Sequence, residues 1–303
     1  MFHILNIFFC ICLSTSISYY CSKEGLLLND IPVMYYCLAI VLLIHLLIFI
    51  PSYFNKTEKF FDITGTLAFV CMIIFALYSK YSIIGFIDIH SFILAVLISL
   101  WSLRLGLFLF YRILKFGQDD RFSEIKNSFT HFLSVWVLSA TWVFITSISA
   151  LTILTSDITN EINVIMRELE FFTYKVDFFT YFGIFIWCFG FLFEIISDMQ
   201  KIRFKSNPNN QDQFIKHGLW SVSRHPNYFG EIILWFGISV IAFPLLSGWQ
   251  YISLISPIFV YFLLTSVSGI NLLEKKANQK WNNSKSYQKY KKKTPQLIPY
   301  FWN

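Results

Sequence analysis

Long apolar stretches separated by short polar ones set the layout of this chain. They run from about Phe2 to Tyr20, Val33 to Phe54, Ile63 to Tyr81 and His90 to Leu114. Four more follow, at about Phe132 to Thr155, Phe178 to Ser197, Tyr228 to Leu246 and Tyr251 to Leu272. A bilayer core takes about 20 helical residues to cross, which is the length of these runs. They are continuous and lack the in–out alternation of a membrane β-barrel. The pattern predicts an all-α, polytopic bundle of eight transmembrane helices. The first run lacks the basic segment that opens a signal peptide, so it reads as a retained helix.

Composition agrees: 56% of the 303 residues are hydrophobic and 14% charged, where a soluble domain carries about a quarter charged. The distribution of charge adds sidedness. Basic loops stay cytoplasmic. Alternate loops carry Lys56 and Lys59, then Arg112, Lys115, Arg121 and Lys126, then five cations from Lys201 to Arg224, and eight lysines from Lys275 to Lys293. Only Lys23, Lys80, Arg167 and Lys175 fall on the other side, and Arg104 lies within a span. Both termini are therefore expected in the cytoplasm. The acidic loop Ser156 to Asp177 faces away. The host membrane would be the endoplasmic reticulum in a eukaryote or the inner membrane in a bacterium. The lysine tail suits membrane lipid headgroups better than nucleic acid. The six cysteines show neither metal spacing nor a disulfide framework, and His45, mid-span, reads as a satisfied core histidine.

Four polar clusters interrupt the apolar pattern, all on the expected cytoplasmic side. The first is Gly218-Leu219-Trp220-Ser221-Val222-Ser223-Arg224-His225-Pro226-Asn227-Tyr228-Phe229-Gly230-Glu231. Pro226 suits a first helical turn. Asn227 and Glu231, four apart, then share a face that Trp235 continues, with Tyr228 alongside. A helix start beside Arg224 and His225 attracts phosphate. An interfacial belt of snorkelling Arg and headgroup Tyr is the plainer alternative, but Glu231 inside a span is costly without a task. The second cluster is Glu194 and Asp198, four apart, followed by Lys201, Arg203 and Lys205; an interfacial ion pair is the alternative there. The third is Arg104 and Arg112 with Asp119-Asp120-Arg121-Phe122. The fourth is the tail, with Glu274-Lys275-Lys276, Trp281, Tyr287, Tyr290 and Lys291-Lys292-Lys293.

At these residues the chain resembles the DUF1295 group of steroid 5-alpha-reductase-like membrane oxidoreductases. The motif from Gly218 to Glu231 carries the resemblance. Supporting matches are Leu100-Trp101 with Arg104-Leu105, Asp119-Asp120-Arg121-Phe122, Phe193-Glu194 with Asp198-Met199-Gln200, Leu273-Glu274-Lys275-Lys276, and Tyr287 to Pro299. Residues 1–60 would be N-terminal transmembrane helices and 61–303 the catalytic part. The resemblance implies NADPH-dependent reduction of a C=C bond conjugated to a carbonyl, in a lipophilic substrate entering from the bilayer. It implies cofactor contacts from Asn227, Glu231 and Asp198, with Lys205, Arg224 and Lys276 as the nearest phosphate-holding equivalents; Glu194, His225 and Tyr228, in the same polar clusters, complete the cofactor-binding candidates. The Glu and Tyr that steroid reductases set against the substrate carbonyl have no clean counterpart. Asp62, Tyr78 and Arg104 are the polar groups on hand, so Asp62, Arg104 and Tyr228 stand as the catalytic candidates. Isoprenylcysteine carboxyl and phospholipid methyltransferases carry a similar Arg-His-Pro-x-Tyr motif and use S-adenosylmethionine. They usually have an apolar residue where this chain has Glu231, and an acidic pair where it has Glu274-Lys275. A lipid-binding protein without activity is the third reading.

Overall fold

The computed structural model describes residues 1–117, 122–158, 176–267 and 269–301. Among these, eight helical segments are long and apolar enough to cross a membrane: Phe2–Cys21, Val33–Phe54, Phe61–Ile84, Ile89–Lys115, Phe129–Thr146, Phe178–Ser206, Pro226–Leu245 and Gly248–Trp281. The all-α, multi-pass membrane architecture follows from them. The only paired strands among the described residues are β1 (Leu27–Leu28) and β2 (Ile31–Pro32), a small antiparallel hairpin. Asp119, Asp120 and Arg121 lie outside the described residues, as does most of the loop from Ser156 to Asp177.

The chain divides into two compact units. The first comprises Met1–Thr180 and Ile241–Ser256. In it α1 (Phe2–Cys21) packs on α5 (Phe129–Thr146), α2 (Val33–Phe54) on α3 (Phe61–Ile84) and α5, and α3 on α4 (Ile89–Phe116). The predicted fifth span is two helices: α5 stops at Thr146 and α6 (Ile148–Leu154) restarts after Ser147. Nothing in the apolar pattern marks that break, because the hydroxyls along it act locally. Ser147 donates to the Val143 carbonyl at 2.8 Å, Thr152 to Ile148 at 2.8 Å and Ser156 to Thr152 at 2.7 Å. Such back-bonding satisfies buried hydroxyls and bends helices. As expected, His45 is a satisfied core residue, with Nδ1 2.8 Å from the Val41 carbonyl and Nε2 3.2 Å from Ser139 Oγ.

Lys80 is a correction to the charge count. Counted above with the loops, it lies inside α3, 1% exposed, paired to Asp88 at 2.5 Å. Its ammonium also donates to Ser91 Oγ at 2.8 Å and the Ile153 carbonyl at 3.0 Å. Gly85, at φ +92°, ends α3 in the left-handed conformation that glycine adopts freely. The chain then turns so that Asp88 caps α4, accepting from the Ser91 amide at 2.8 Å. Burial works against the Asp88 carboxylate, but Lys80 and the two Ser91 donors outweigh it and hold the carboxyl below its usual range.

The second unit comprises Tyr181–Val240 and Pro257–Asn303. Its frame is α7 (Phe178–Ser206) against α9 (Pro226–Ala242), which begins at Pro226 as the sequence predicts. Glycines seven apart on each helix set the approach. A Cβ on Gly230 would lie 2.6 Å from the Gly190 carbonyl oxygen and 2.7 Å from the Glu194 amide nitrogen. One on Gly237 would lie 2.7 Å from both the Gly183 oxygen and the Trp187 nitrogen. Backbone against backbone is the contact that small residues permit between membrane helices. After α10 (Ile255–Phe262) a π-turn, Leu263–Val267, interrupts the last span, and α11 (Ile270–Trp281) starts afresh behind Gly269. A final helix, α12 (Lys285–Lys293), is capped by Ser284.

Candidate functional site

The polar motif occupies the second unit, starting beyond the Pro208–Asn210 turn that follows α7, where Gly218 comes back against Gln200. Gly218, at φ +60°, turns the chain into a four-residue helix, α8 (Leu219–Val222). The α7 end holds α8: Gln200 Oε1 accepts the Leu219 amide at 2.9 Å, and the Trp220 indole N–H donates to the Ser197 carbonyl at 3.0 Å. Lys201 lies 4.6 Å over the Trp220 ring, a cation–π contact.

The C-terminal tail straps the other side. Tyr290 donates to the Trp220 carbonyl at 2.6 Å and Ser223 to the Leu297 carbonyl at 2.7 Å. The amide of Arg224 donates to Pro295 at 2.9 Å and that of Tyr300 to Val222 at 3.0 Å. Burial pushes the Tyr290 phenol upward, so it stays a donor.

At the end of this strapped loop, Arg224 Nη1 and His225 Nε2 both donate to Glu274 of α11, His225 at 3.1 Å. Lys291 Nζ stands 3.8 Å from the same carboxylate and 2.9 Å from Asn278 Oδ1. Glu274 thus gathers two cationic side chains and an imidazole. Arg224 Nε is buried with no hydrogen-bond partner among the described residues. Burial pushes the His225 imidazole below its ordinary value; Lys201 and Arg224 add to this, and the bond to Glu274 opposes it. The imidazole is therefore a neutral donor at pH 7.

Glu231 of the motif and the α7 acids Glu194 and Asp198 lie on the glycine-locked helix pair. Glu194 is 2% exposed, Asp198 5% and Glu231 7%. Because Gly230 abuts the Glu194 backbone, Glu231 sits next to that crossing, with Phe193 and Phe229 in edge contact at 5.4 Å. Trp235 is fully buried below. Asn227 and Tyr228 are half-buried in the first turn of α9, Tyr228 stacked parallel to His225 with ring centroids 5.9 Å apart. Lys205 and Lys276 are exposed.

The other candidates belong to the first unit. Asp62 is half-buried in the first turn of α3, where an acid suits the helix dipole. Arg104 is half-buried in α4, its guanidinium 5.1 Å from the Phe108 ring centre. Tyr78 is 68% exposed. Sequence reasoning singled out Glu274-Lys275-Lys276 for its cations and missed the acid. The signal was present, since Glu274 is the lone carboxylate between Ile270 and Asn303. Nothing local announces the Tyr290 strap or the Trp220–Lys201 pair.

No curated protein and no solved structure matches this chain. A family model does, that described as Protein of unknown function (DUF1295), over residues 48–294. The motif and the helices that carry it all fall inside that range, and the chain belongs to the DUF1295 family.

Proposed function

We propose that this protein is an NADPH-dependent membrane reductase acting on a C=C bond of a lipophilic enone, with the second unit as its cofactor half. The observation that carries the reading is the set of buried carboxyl groups, Glu194, Asp198 and Glu231, on a helix pair locked by Gly190 and Gly230. Carboxylates inside a span are expensive and face protein or a polar ligand. Buried acids can accept from ribose hydroxyls and a carboxamide. The cations beyond them suit phosphate, and Arg224 retains a buried N–H donor that a phosphate oxygen would satisfy. The residues present therefore fit a dinucleotide.

When bound, NADPH would supply the hydride. The chain's own contribution is positioning. Glu274 orients the Arg224 fork and keeps His225 as a donor. Gly230 fixes Glu231 against α7. Tyr228, at the start of α9, is the group we assign to hold a proton toward the substrate carbonyl, in general-acid fashion.

Ligand-induced thermal shift on the purified protein tests this. NADPH at about 100 times its Kd should add about 2.7 kcal/mol, and S-adenosylmethionine should add nothing. The reverse pattern would sink the reductase reading in favour of a methyltransferase. Glu231→Gln should remove most of the NADPH shift while leaving the unliganded midpoint near wild type. Lipid extracts incubated with enzyme and NADPH should then yield a product heavier by two hydrogens.

A further inference from the structure

Helix α12 carries five lysines, and the structure sorts them. Lys291 turns inward to Glu274 and Asn278. Lys285, Lys289, Lys292 and Lys293 are exposed and make no ion pair or hydrogen bond among the described residues. Positions i, i+4, i+7 and i+8 fall on one side of a helix, while Tyr287 and Tyr290 hold the opposite side inward. Just beyond, Ile298, Tyr300 and Phe301 are 72%, 50% and 61% exposed. Large exposed apolar side chains are ordinary where a span meets lipid tails. These three lie outside every candidate span among the described residues, so the spans do not account for their exposure.

A row of unpaired cations continued by exposed aromatic and aliphatic side chains has one complementary surface already within reach of a membrane-embedded chain. We infer that α12 and the tail through Phe301 dock on the acidic headgroup layer of the protein's own bilayer. The lysines meet phosphate and the apolar residues enter the interfacial zone. Aromatic rings belong at that depth. The inference is independent of the reductase reading. It has a consequence for the site, because the same tail is bonded to Val222, Ser223 and Arg224. Seating the tail on lipid holds the motif loop as well.

Amide hydrogen exchange of the full-length protein in nanodiscs tests the inference. Discs of phosphatidylcholine alone are compared with discs containing phosphatidylglycerol. Each lysine near an acidic surface adds roughly fivefold to the affinity. Exchange over residues 285–301 should therefore slow by about tenfold or more in the acidic discs, and raised salt should erase the gain. The fourfold variant Lys285→Gln, Lys289→Gln, Lys292→Gln, Lys293→Gln should not respond to acidic lipid. Its Arg224 amide, held by Pro295, should stay protected in neutral discs and so report an intact fold. Equal exchange of the wild type in the two discs would overturn the inference, and that comparison decides even if the variant misfolds. So would equal protection by pyrophosphate added to neutral discs, which would make the lysines a site for soluble phosphate. An undiminished response in the folded variant would overturn it too.

Discussion

Gly230→Ala and Gly65→Ala make the same chemical change inside two membrane helices, and the structure assigns them opposite signs. Replacing a helical glycine by alanine gains about 1 kcal/mol of intrinsic helix stability at either place. At Gly65 the new methyl meets only Trp142 Cζ3 at 3.6 Å and Val143 Cγ2 at 3.9 Å, which is ordinary contact with side chains. At Gly230 it meets the Gly190 oxygen at 2.6 Å and the Glu194 nitrogen at 2.7 Å. Those atoms are backbone and cannot swing away. The approach is roughly 0.8 Å short of ordinary contact, so α7 and α9 must separate. Overpacking costs about 1–3 kcal/mol, and an unyielding obstacle puts this case in the upper part of that range. The net expectation is a loss of about 1–2 kcal/mol for Gly230→Ala, and a gain of up to about 1 kcal/mol for Gly65→Ala. At about 2–4 °C per kcal/mol, the midpoints should move apart by several degrees. The assay is heating in detergent at one fixed rate, with the surviving monodisperse fraction read by size exclusion. Gly190→Ala should resemble Gly230→Ala, and the double variant should fall short of the sum, because either methyl already forces the separation. A Gly230→Ala midpoint at or above wild type would refute the close backbone approach, and with it the account of how Glu231 is held against Glu194.

Three further outcomes are expected. Lys80→Met strands the buried Asp88 carboxylate and should cost about 3–5 kcal/mol in the same assay, whereas Lys80→Met with Asp88→Leu should recover much of that loss; full additivity of the two would contradict a direct pair. Stability should fall as pH drops below about 6.5. The sign follows because His225 has a lowered pKa in the folded state, so the unfolded chain binds the proton more readily and stability is present above its ordinary pKa and lost below it. Midpoints measured between about pH 5 and 8 should show that slope, and His225→Gln should make it shallower. Tyr290→Phe removes the bond to the Trp220 carbonyl and should cost about 1 kcal/mol, with faster amide exchange at residues 221–224 as the site-specific readout; unchanged exchange there would separate the tail from the motif loop.

What a sequence can show of such a protein depends on whether the signal is local. The spans were legible because lipid demands a continuous apolar run, and each run is its own announcement. The breaks at Ser147 and Leu263–Val267 were not, since a hydroxyl-rich helix and a π-turn leave the run unbroken and only tertiary packing decides where the backbone bends. The motif was legible in the same local way. Pro226 marks the start of α9, and the four-residue spacing of Asn227 and Glu231 then follows from helical geometry. Glu274 was legible only as part of a charged tail, because its partners Arg224 and His225 lie about fifty residues away and no periodicity links them. The same distinction explains Lys80. Counting cations by loop reads an asymmetry, which is a property of sums, and one misassigned lysine only changes nineteen against four into nineteen against three. Depth belongs to single residues, and for Lys80 it was set by Asp88 across the Gly85 turn. Charges in this chain thus do two kinds of work. Exposed lysines act together and can be read by counting. Lys80, Glu274 and Arg224 each act through one partner, and only the folded chain shows which.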